Sequence, residues 1–496
     1  MRRLRSDNPN SLTVQLALPL PTLKQGYNVP FRTIHWLNDD ILLGIFDCYR
    51  LDEDNRWNDR LGWRNPSQVC QRWRHLIYEC SSHLGMHIKC TNGSRMVNTL
   101  NHLPLLPLFV NYVAYTVSKQ DELGIYHTLR LHGRIRRIRL DLPSSILHIA
   151  LALMNENFPI LEQLDLLGPF SPDSGHRLPL TLPKGFLAPN LLHLTIFGIG
   201  PPNRLRVLTS TASLVTLHLS RIQTSSYFRP RLLVARLRSL PLLEELTIEF
   251  STPIPRPSTE RDLLGENRDP ITLPSLKTLE FKGVGAYLES LVAQIRVPLL
   301  EGLYITLFNQ IAWVLPHLFY LINNTIVSKV SCMSIGFYRD EVYVSTRRPW
   351  PKVRTSRIYN LGRTAFSLSV KCNPSDWQID CAAQICDALI PGVKELSLLG
   401  SLEEIPTEMR NGAIDSAMWH DLLRSFVGVK ELYIGDGFPE ELSPELSRAL
   451  QEDEIESDPS FLPNLRSIHA THNLFTSFIH TRQVVGRPVQ FEEIRL

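Results

Sequence analysis

The sequence predicts an α/β chain in two parts: a short N-terminal helical module, then an irregular solenoid of strand-and-helix units. Three observations predict it. Two apolar helical stripes lie close together near the N-terminus, a short Leu-rich pattern recurs from residue 130 onward, and 496 residues are too many for one compact core. With 43% hydrophobic and 20% charged residues, the composition is that of a folded, soluble protein.

Residues 1–30 come first and read as a disordered leader. Arg2, Arg3 and Arg5 precede the run Leu12 to Leu20, but Gln15, Pro19 and Pro21 interrupt it and no small-residue cleavage site follows. Residues 31–90 hold the helical module. Its first stripe follows Asn38 and Asp39, both suited to an N-cap, and places Ile41, Leu42, Ile45, Phe46 and Tyr49 on one side. The second starts with Asn65 as cap and Pro66 in the first turn. Val69, Trp73, Leu76, Ile77 and Cys80 then share a face, while Gln71, Arg72, Arg74 and His75 point elsewhere. Two short helices cannot bury both stripes alone, so they need each other and a further surface.

The spelling Leu37-Asn38-Asp39-Asp40-Ile41-Leu42-Leu43-Gly44-Ile45-Phe46, followed 23 residues later by Val69-Cys70-Gln71-Arg72-Trp73-Arg74, resembles the F-box in the form common in large fungal families. The resemblance covers residues 34–90. It implies a small helical module that docks on a Skp-type adaptor, which tethers it to a cullin-RING ubiquitin ligase. On these positions it assigns Leu37, Ile41, Leu42, Ile45, Phe46, Val69, Trp73 and Leu76 to the box core and adaptor contact. Asn38 stands where that family usually has Pro, and the linker Leu51-Asp52-Glu53-Asp54-Asn55-Arg56-Trp57 is longer and more acidic than an average box linker.

Residues 91–130 read as a connecting segment and 131–496 as the array. The pattern is an apolar residue, two variable ones, an apolar residue, one variable, an apolar residue. Clear copies are Pro159-Ile160-Leu161-Glu162-Gln163-Leu164-Asp165-Leu166, Pro241-Leu242-Leu243-Glu244-Glu245-Leu246-Thr247-Ile248 and Pro274-Ser275-Leu276-Lys277-Thr278-Leu279-Glu280-Phe281. Others centre on Leu194, Leu217, Leu303, Leu396, Leu432 and Ile468, with weaker copies at Ile138, Met333 and Leu368. The last two apolar positions are two apart and face one side of a strand, and Pro two residues before the first, as at Pro189, Pro298, Pro391 and Pro463, stops a preceding helix. A unit with one uncovered apolar face must stack on its neighbours, which is the logic of a solenoid. The spelling resembles leucine-rich repeats without their regular Asn position. An ordinary α/β domain with Leu-rich strands is the competing reading.

In such an array the residue between the last two apolar positions projects from the concave sheet. These residues are Arg139, Asp165, Thr195, His218, Thr247, Glu280, Tyr304, Ser334, Ser369, Ser397, Tyr433 and His469. The mixture of charge, hydroxyl and aromatic groups suits protein recognition, with Tyr304 and Tyr433 as anchors and Arg139, Asp165, Glu280 and His469 as further contacts. Residues 252–270, rich in Pro, read as a surface insertion, and Glu440 to Asp458 as an exposed acidic helix and loop.

A net charge of +3 gives no broad footprint for nucleic acid, and the run Arg134, Arg136, Arg137, Arg139 reads as the solvent side of a strand. Leu303 to Ile322 comes nearest to a membrane span, but Asn309, Gln310, Pro316 and His317 make it a strand and a helix. Eight cysteines without an even framework read as reduced thiols, hence cytoplasm or nucleus. Cys80, His83, His87 and Cys90 have zinc-ligating types, but Cys80 belongs to a helical stripe and the alternation His87-Ile88-Lys89-Cys90 aims His87 and Cys90 to opposite sides. Gly198-Ile199-Gly200 runs into Pro201-Pro202, which removes the amide donors of a phosphate cradle, and Glu403-Glu404 are adjacent carboxylates that point apart. No HExxH, Walker loop or GxSxG occurs, so neither cofactor, metal nor catalysis is expected. The expected role is a non-catalytic substrate receptor that binds a Skp-type adaptor through the module and an unidentified target protein through the array. Two readings compete: a repeat scaffold without cullin recruitment, and a parallel β-helix enzyme with carboxylates on one face.

Overall fold

The computed structural model describes residues 37–54, 64–80, 87–93, 96–102, 106–168, 180–200, 207–253, 270–308, 315–325, 331–338, 341–346, 366–371, 375–387, 392–401, 416–435, 446, 462–470, 475–484 and 486–493. The leader, His83, Glu403-Glu404, nearly all of 440–458 and most of 252–270 lie outside them. The chain divides into two compact units, Met1–Gly85 and Met86–Leu496.

The first unit contains α1 (Asp39–Asp54), α2 (Arg64–Val69) and α3 (Gln71–Glu79). Asn38 starts α1: its Oδ1 accepts from the Ile41 amide at 2.9 Å, its carbonyl accepts from Leu42 at 3.1 Å, and Asp39 and Asp40 lie at the positive end of the helix dipole. The single second helix expected from Asn65 is in fact two. Cys70 is extended (φ −156°, ψ 170°) and its Sγ accepts from the Trp73 amide at 3.4 Å, so a side-chain cap replaces the backbone bond that would have continued the helix.

In the second unit the strands are, in chain order, β1 (Ile88–Thr91), β2 (Leu108–Val113), β3 (Ile135–Asp141), β4 (Gln163–Leu167), β5 (His193–Phe197), β6 (Thr216–Ile222), β7 (Glu245–Phe250), β8 (Ile271–Thr272), β9 (Thr278–Gly283), β10 (Ile295–Arg296), β11 (Gly302–Phe308), β12 (Cys332–Tyr338), β13 (Glu341–Ser345), β14 (Phe366–Lys371), β15 (Glu395–Ser401), β16 (Glu431–Ile434), β17 (Ser467–Ala470) and β18 (Gln490–Glu493). Sixteen form one sheet, ordered β1-β2-β3-β4-β5-β6-β7-β9-β11-β14-β13-β12-β15-β16-β17-β18, and β8 pairs with β10 apart from it. All twelve sequence centres fall within strands of the large sheet. Ile138, Leu164, Leu194, Leu217, Leu246, Leu279 and Leu303 are successive register partners along parallel strands. A second such row joins Met333, Leu396, Leu432 and Ile468.

Between these rows the serial order breaks. β14 lies beside β11, β13 runs antiparallel between β14 and β12, and β12 continues to β15. Only residues 339 and 340 separate β12 from β13, too few for a parallel crossover, so the chain turns back on itself. Leu368 consequently pairs with Ile305, and Phe366 faces Leu303. The segment 91–130, expected to be a connection, holds β2 and the helix Lys119–Leu129, and β1 and β2 are the first strands of the same sheet.

One sheet face is packed. Leu164, Leu166, Leu194, Leu217, Leu246 and Ile248 are buried there, and Tyr287 of the helix Gly285–Val292 contacts Phe250 at 4.9 Å and Phe281 at 5.7 Å between ring centroids. The span Leu303 to Ile322 resolves into β11 and part of the helix Pro316–Thr325, and no helix among the described residues is long and apolar enough to cross a membrane.

Glu289 links two repeats. Its carboxylate is buried and accepts from the His317 amide at 2.7 Å, the His317 Nδ1 at 2.7 Å and the Leu318 amide at 3.1 Å, capping the next helix from the preceding one. Glu289→Ala leaves those donors unmet and is expected to lower unfolding free energy by about 2 to 3 kcal/mol, read from the denaturant midpoint.

Candidate functional site

In the helical unit the apolar stripe of α1 divides into two columns, because residues i and i+4 align while i and i+1 diverge by roughly 100°. Leu42 and Phe46 turn inward, and Phe46 meets the Trp73 ring edge-on at 5.1 Å, with Ile77 buried nearby in sequence on α3. Ile41 and Ile45 form the other column and are 50% and 40% exposed, so they are not part of the box core expected from the sequence. Val69, at the end of α2 just before the extended Cys70, is 56% exposed for a local reason: the break takes it off the face shared by Trp73 and Ile77. Leu37 and Leu76 are half-buried. Arg72 ties α3 to the start of α1, donating from Nη2 to the Leu37 carbonyl at 2.7 Å and from Nε to Asp39 Oδ1 at 3.1 Å. The Trp73 Nε1 is buried without an acceptor among the described residues.

The other face of the large sheet is half-exposed and carries the projecting row. Arg139, Asp165, Thr195, His218, Thr247, Glu280 and Tyr304 are register partners in that order. Beyond Tyr304 the rearranged strands substitute Ser367 for the expected Ser369. The row continues through Ser345, Ser334 and Ser397 to Tyr433, His469 and Glu492. Thr247, Ser334, Ser369 and Ser397 are buried, so these four do not present themselves to solvent as the alternation implied.

Tyr433 and His469 come together. Their rings stack at 4.2 Å and 7°, Tyr433 donates its hydroxyl to Glu431 Oε2 at 2.6 Å, and His469 lies between Ser467 at 3.1 Å and Glu492 at 3.2 Å. Tyr304 is not with them: five strand steps separate it from Tyr433, about 24 Å. The Tyr304 ring covers Gly302 and the Tyr338 ring covers Gly336, where an added Cβ would stand 3.1 Å and 2.8 Å from the rings. Burial raises the Tyr304 hydroxyl pKa, with smaller contributions from Glu280 and Tyr343. Glu280 is likewise raised by burial and then by Glu249, only partly offset by a hydrogen bond from Thr247. The sequence missed Ser345, Ser367 and Glu492. The alternation Glu341-Val342-Tyr343-Val344-Ser345 was the available signal for the first.

Around the zinc-type residues, His87 stacks on Phe109 at 3.5 Å, while Cys90 is fully buried and on the opposite side of β1. Burial pushes the Cys90 thiol up to about 12, against a hydrogen bond with Thr128 and the Arg134 charge. A protonated buried thiol is neither a ready metal ligand nor a nucleophile.

No family model matches the chain, and no curated protein does. Among solved structures, the leucine-rich repeat-containing protein LegL7 from Legionella pneumophila aligns over 77% of this chain and 81% of its own length, at 12% identity and a TM-score of 0.24.

Cys90 makes stability pH-dependent in a defined direction. The folded thiol keeps its proton to about 12 and the unfolded one releases it near 9.0, so the contribution is complete below 9.0 and is lost as pH rises toward 12. Chemical unfolding at stepped pH is expected to show this alkaline slope, and Cys90→Ala to flatten it. Alkylation of the native chain at pH 8 followed by peptide mapping should mark exposed Cys48 and spare Cys90.

Proposed function

We propose that the chain is the substrate-recognition subunit of a Skp-cullin-F-box type ubiquitin ligase, acting in cytoplasm or nucleus. The helical unit docks on a Skp-type adaptor and the repeat array holds a target protein. The observation that carries this reading is the divided stripe of α1. Leu42 and Phe46 close a small core with Trp73, yet Ile41, Ile45 and Val69 remain exposed, an arrangement suited to an apolar groove on another subunit. Asn38 caps α1 itself, so its presence where the F-box usually has Pro preserves the helix start. Catalysis then belongs to other subunits, and this chain contributes proximity by raising the local concentration of a target lysine near a charged conjugating enzyme. The Tyr433–His469 stack and Tyr304 are the aromatic anchors available to a target on the half-exposed face.

The alternative, a repeat scaffold that binds its protein partner without cullin recruitment, uses the same sheet face and leaves the exposed isoleucines without a role. Co-purification with a Skp-type adaptor separates the two. Ile41→Asp with Ile45→Asp is expected to reduce adaptor retention by at least tenfold while leaving thermal unfolding unchanged, because both side chains already face solvent. Retention by that variant equal to the parent would sink the ligase reading. Trp73→Ala, in contrast, is expected to cost about 3 to 5 kcal/mol and unfold the helical unit, measured as lost protection of α3 in hydrogen exchange.

A further inference from the structure

The first three strands carry a group of side chains that the tyrosine anchors do not use. On the half-exposed face, Lys89 of β1, Phe109 of β2 and Arg137 of β3 are register partners. The Phe109 ring has the His87 imidazole stacked at 3.5 Å from the side of β1 and the Arg137 guanidinium 4.7 Å from its centroid from the side of β3. Arg139, two residues on, points the same way and is exposed.

This presentation depends on a β-bulge. Leu108 pairs with Ile135 but Phe109 pairs with Arg137, so Arg136 is the extra residue in β3. The bulge lets Ile135 and Ile138, three apart, both reach the core, and it turns Arg137 and Arg139 outward together. The same run shows what a structural arginine looks like here. Arg136 pairs with Glu162 at 2.8 Å, and Arg134 donates to the Leu106 carbonyl at 2.9 Å and 3.2 Å. Lys89, Arg137 and Arg139 make no ion pair among the described residues. Asp165, the carboxylate in register with Arg139, is held instead by Gln163 Nε2 at 2.7 Å.

We propose that this patch binds an acidic stretch of a partner protein in extended form. Charge complementarity names the occupant. Two residues along an extended chain span about 7 Å, so alternate carboxylates on a strand match Arg137 and Arg139 one to one, and each guanidinium fork suits a carboxylate. The Phe109 ring, flanked by His87 and Arg137, holds the Arg137 guanidinium in place for that contact. Farther along the face, Glu245, Glu249 and Glu280 on β7 and β9 repel the same ligand and confine it to the first strands. Nucleic acid fits less well, because the whole chain carries only +3. The proposal rests on the half-exposed sheet face being the protein-binding surface, and it does not require the adaptor.

The test uses the full chain and three labelled probes: a nine-residue peptide alternating Glu and Val with one central Phe, the same peptide with every Glu replaced by Lys, and a single-stranded RNA of nine nucleotides. Fluorescence anisotropy is expected to show binding of the acidic peptide alone, weakening as salt is raised. Arg137→Glu with Arg139→Glu should weaken it at least tenfold and create binding of the Lys peptide. Arg139→Gln, at an exposed position with no ion pair to lose among the described residues, should weaken it several-fold with unchanged thermal unfolding. Failure of the acidic peptide to bind, equal binding by the charge-reversed variant, or tighter binding of the RNA overturns the proposal. Adaptor retention is read on the same preparations. A chain that keeps the adaptor and ignores the peptide refutes this inference alone, and one that binds the peptide but no adaptor refutes only the ligase reading.

Discussion

The parallel ladder of the large sheet is the constraint on which the second unit depends. Each short strand places two leucine-type residues on one side, and a single strand has nothing to cover them. From Ile138 to Leu303 the central apolar row is kept partner for partner, with a register shift in β6 after Leu219, so that row continues into the next strand and onto the helices behind it. A slip of one residue would turn every apolar side chain to solvent, and Asp165 or Glu280 into the core. Glu289 belongs to the same logic, since it meets the free amides of the following helix with a carboxylate from the preceding one.

The array tolerates one rearrangement because that rearrangement preserves the ladder. Between β11 and β15 the chain inserts β14, β13 and β12 in reverse order, with β13 antiparallel, yet every strand edge there is paired and Val342, Val344, Phe366 and Leu368 stay buried. The consequence appears on the opposite face. Ser367, Ser345, Ser334 and Ser397 lie side by side between Tyr304 and Tyr433, so the two tyrosines are held apart by small side chains. The polar face is thus divided into a cationic and aromatic end at β1 to β3, a carboxylate-bearing middle at β7 and β9, and a Tyr–His stack at β16 and β17.

The helical unit meets the same demand in a smaller volume and leaves part of it open. Three short helices suffice to bury Leu42, Phe46, Trp73 and Ile77, but Ile41, Ile45 and Val69 remain in water. Burying one such side chain in a partner contributes on the order of 1.5 to 3 kcal/mol, enough for a few of them to decide whether a subunit is retained.

Local pattern determined a great deal. Periods of 2 and 3.6 are written in single stretches of chain, so twelve strands, the cap at Asn38, and the alternation that sends Ile138 inward and Arg139 outward follow from neighbouring residues alone. Tertiary structure decided what depends on residues distant in sequence. Which of two helical columns faces Trp73, which strand lies beside β11, and that Ser367 rather than Ser369 joins the projecting row are choices among pairings whose local spelling is equivalent. A repeat sequence specifies the shape of each unit, but the order of units is settled only when all the apolar faces and strand edges are satisfied together.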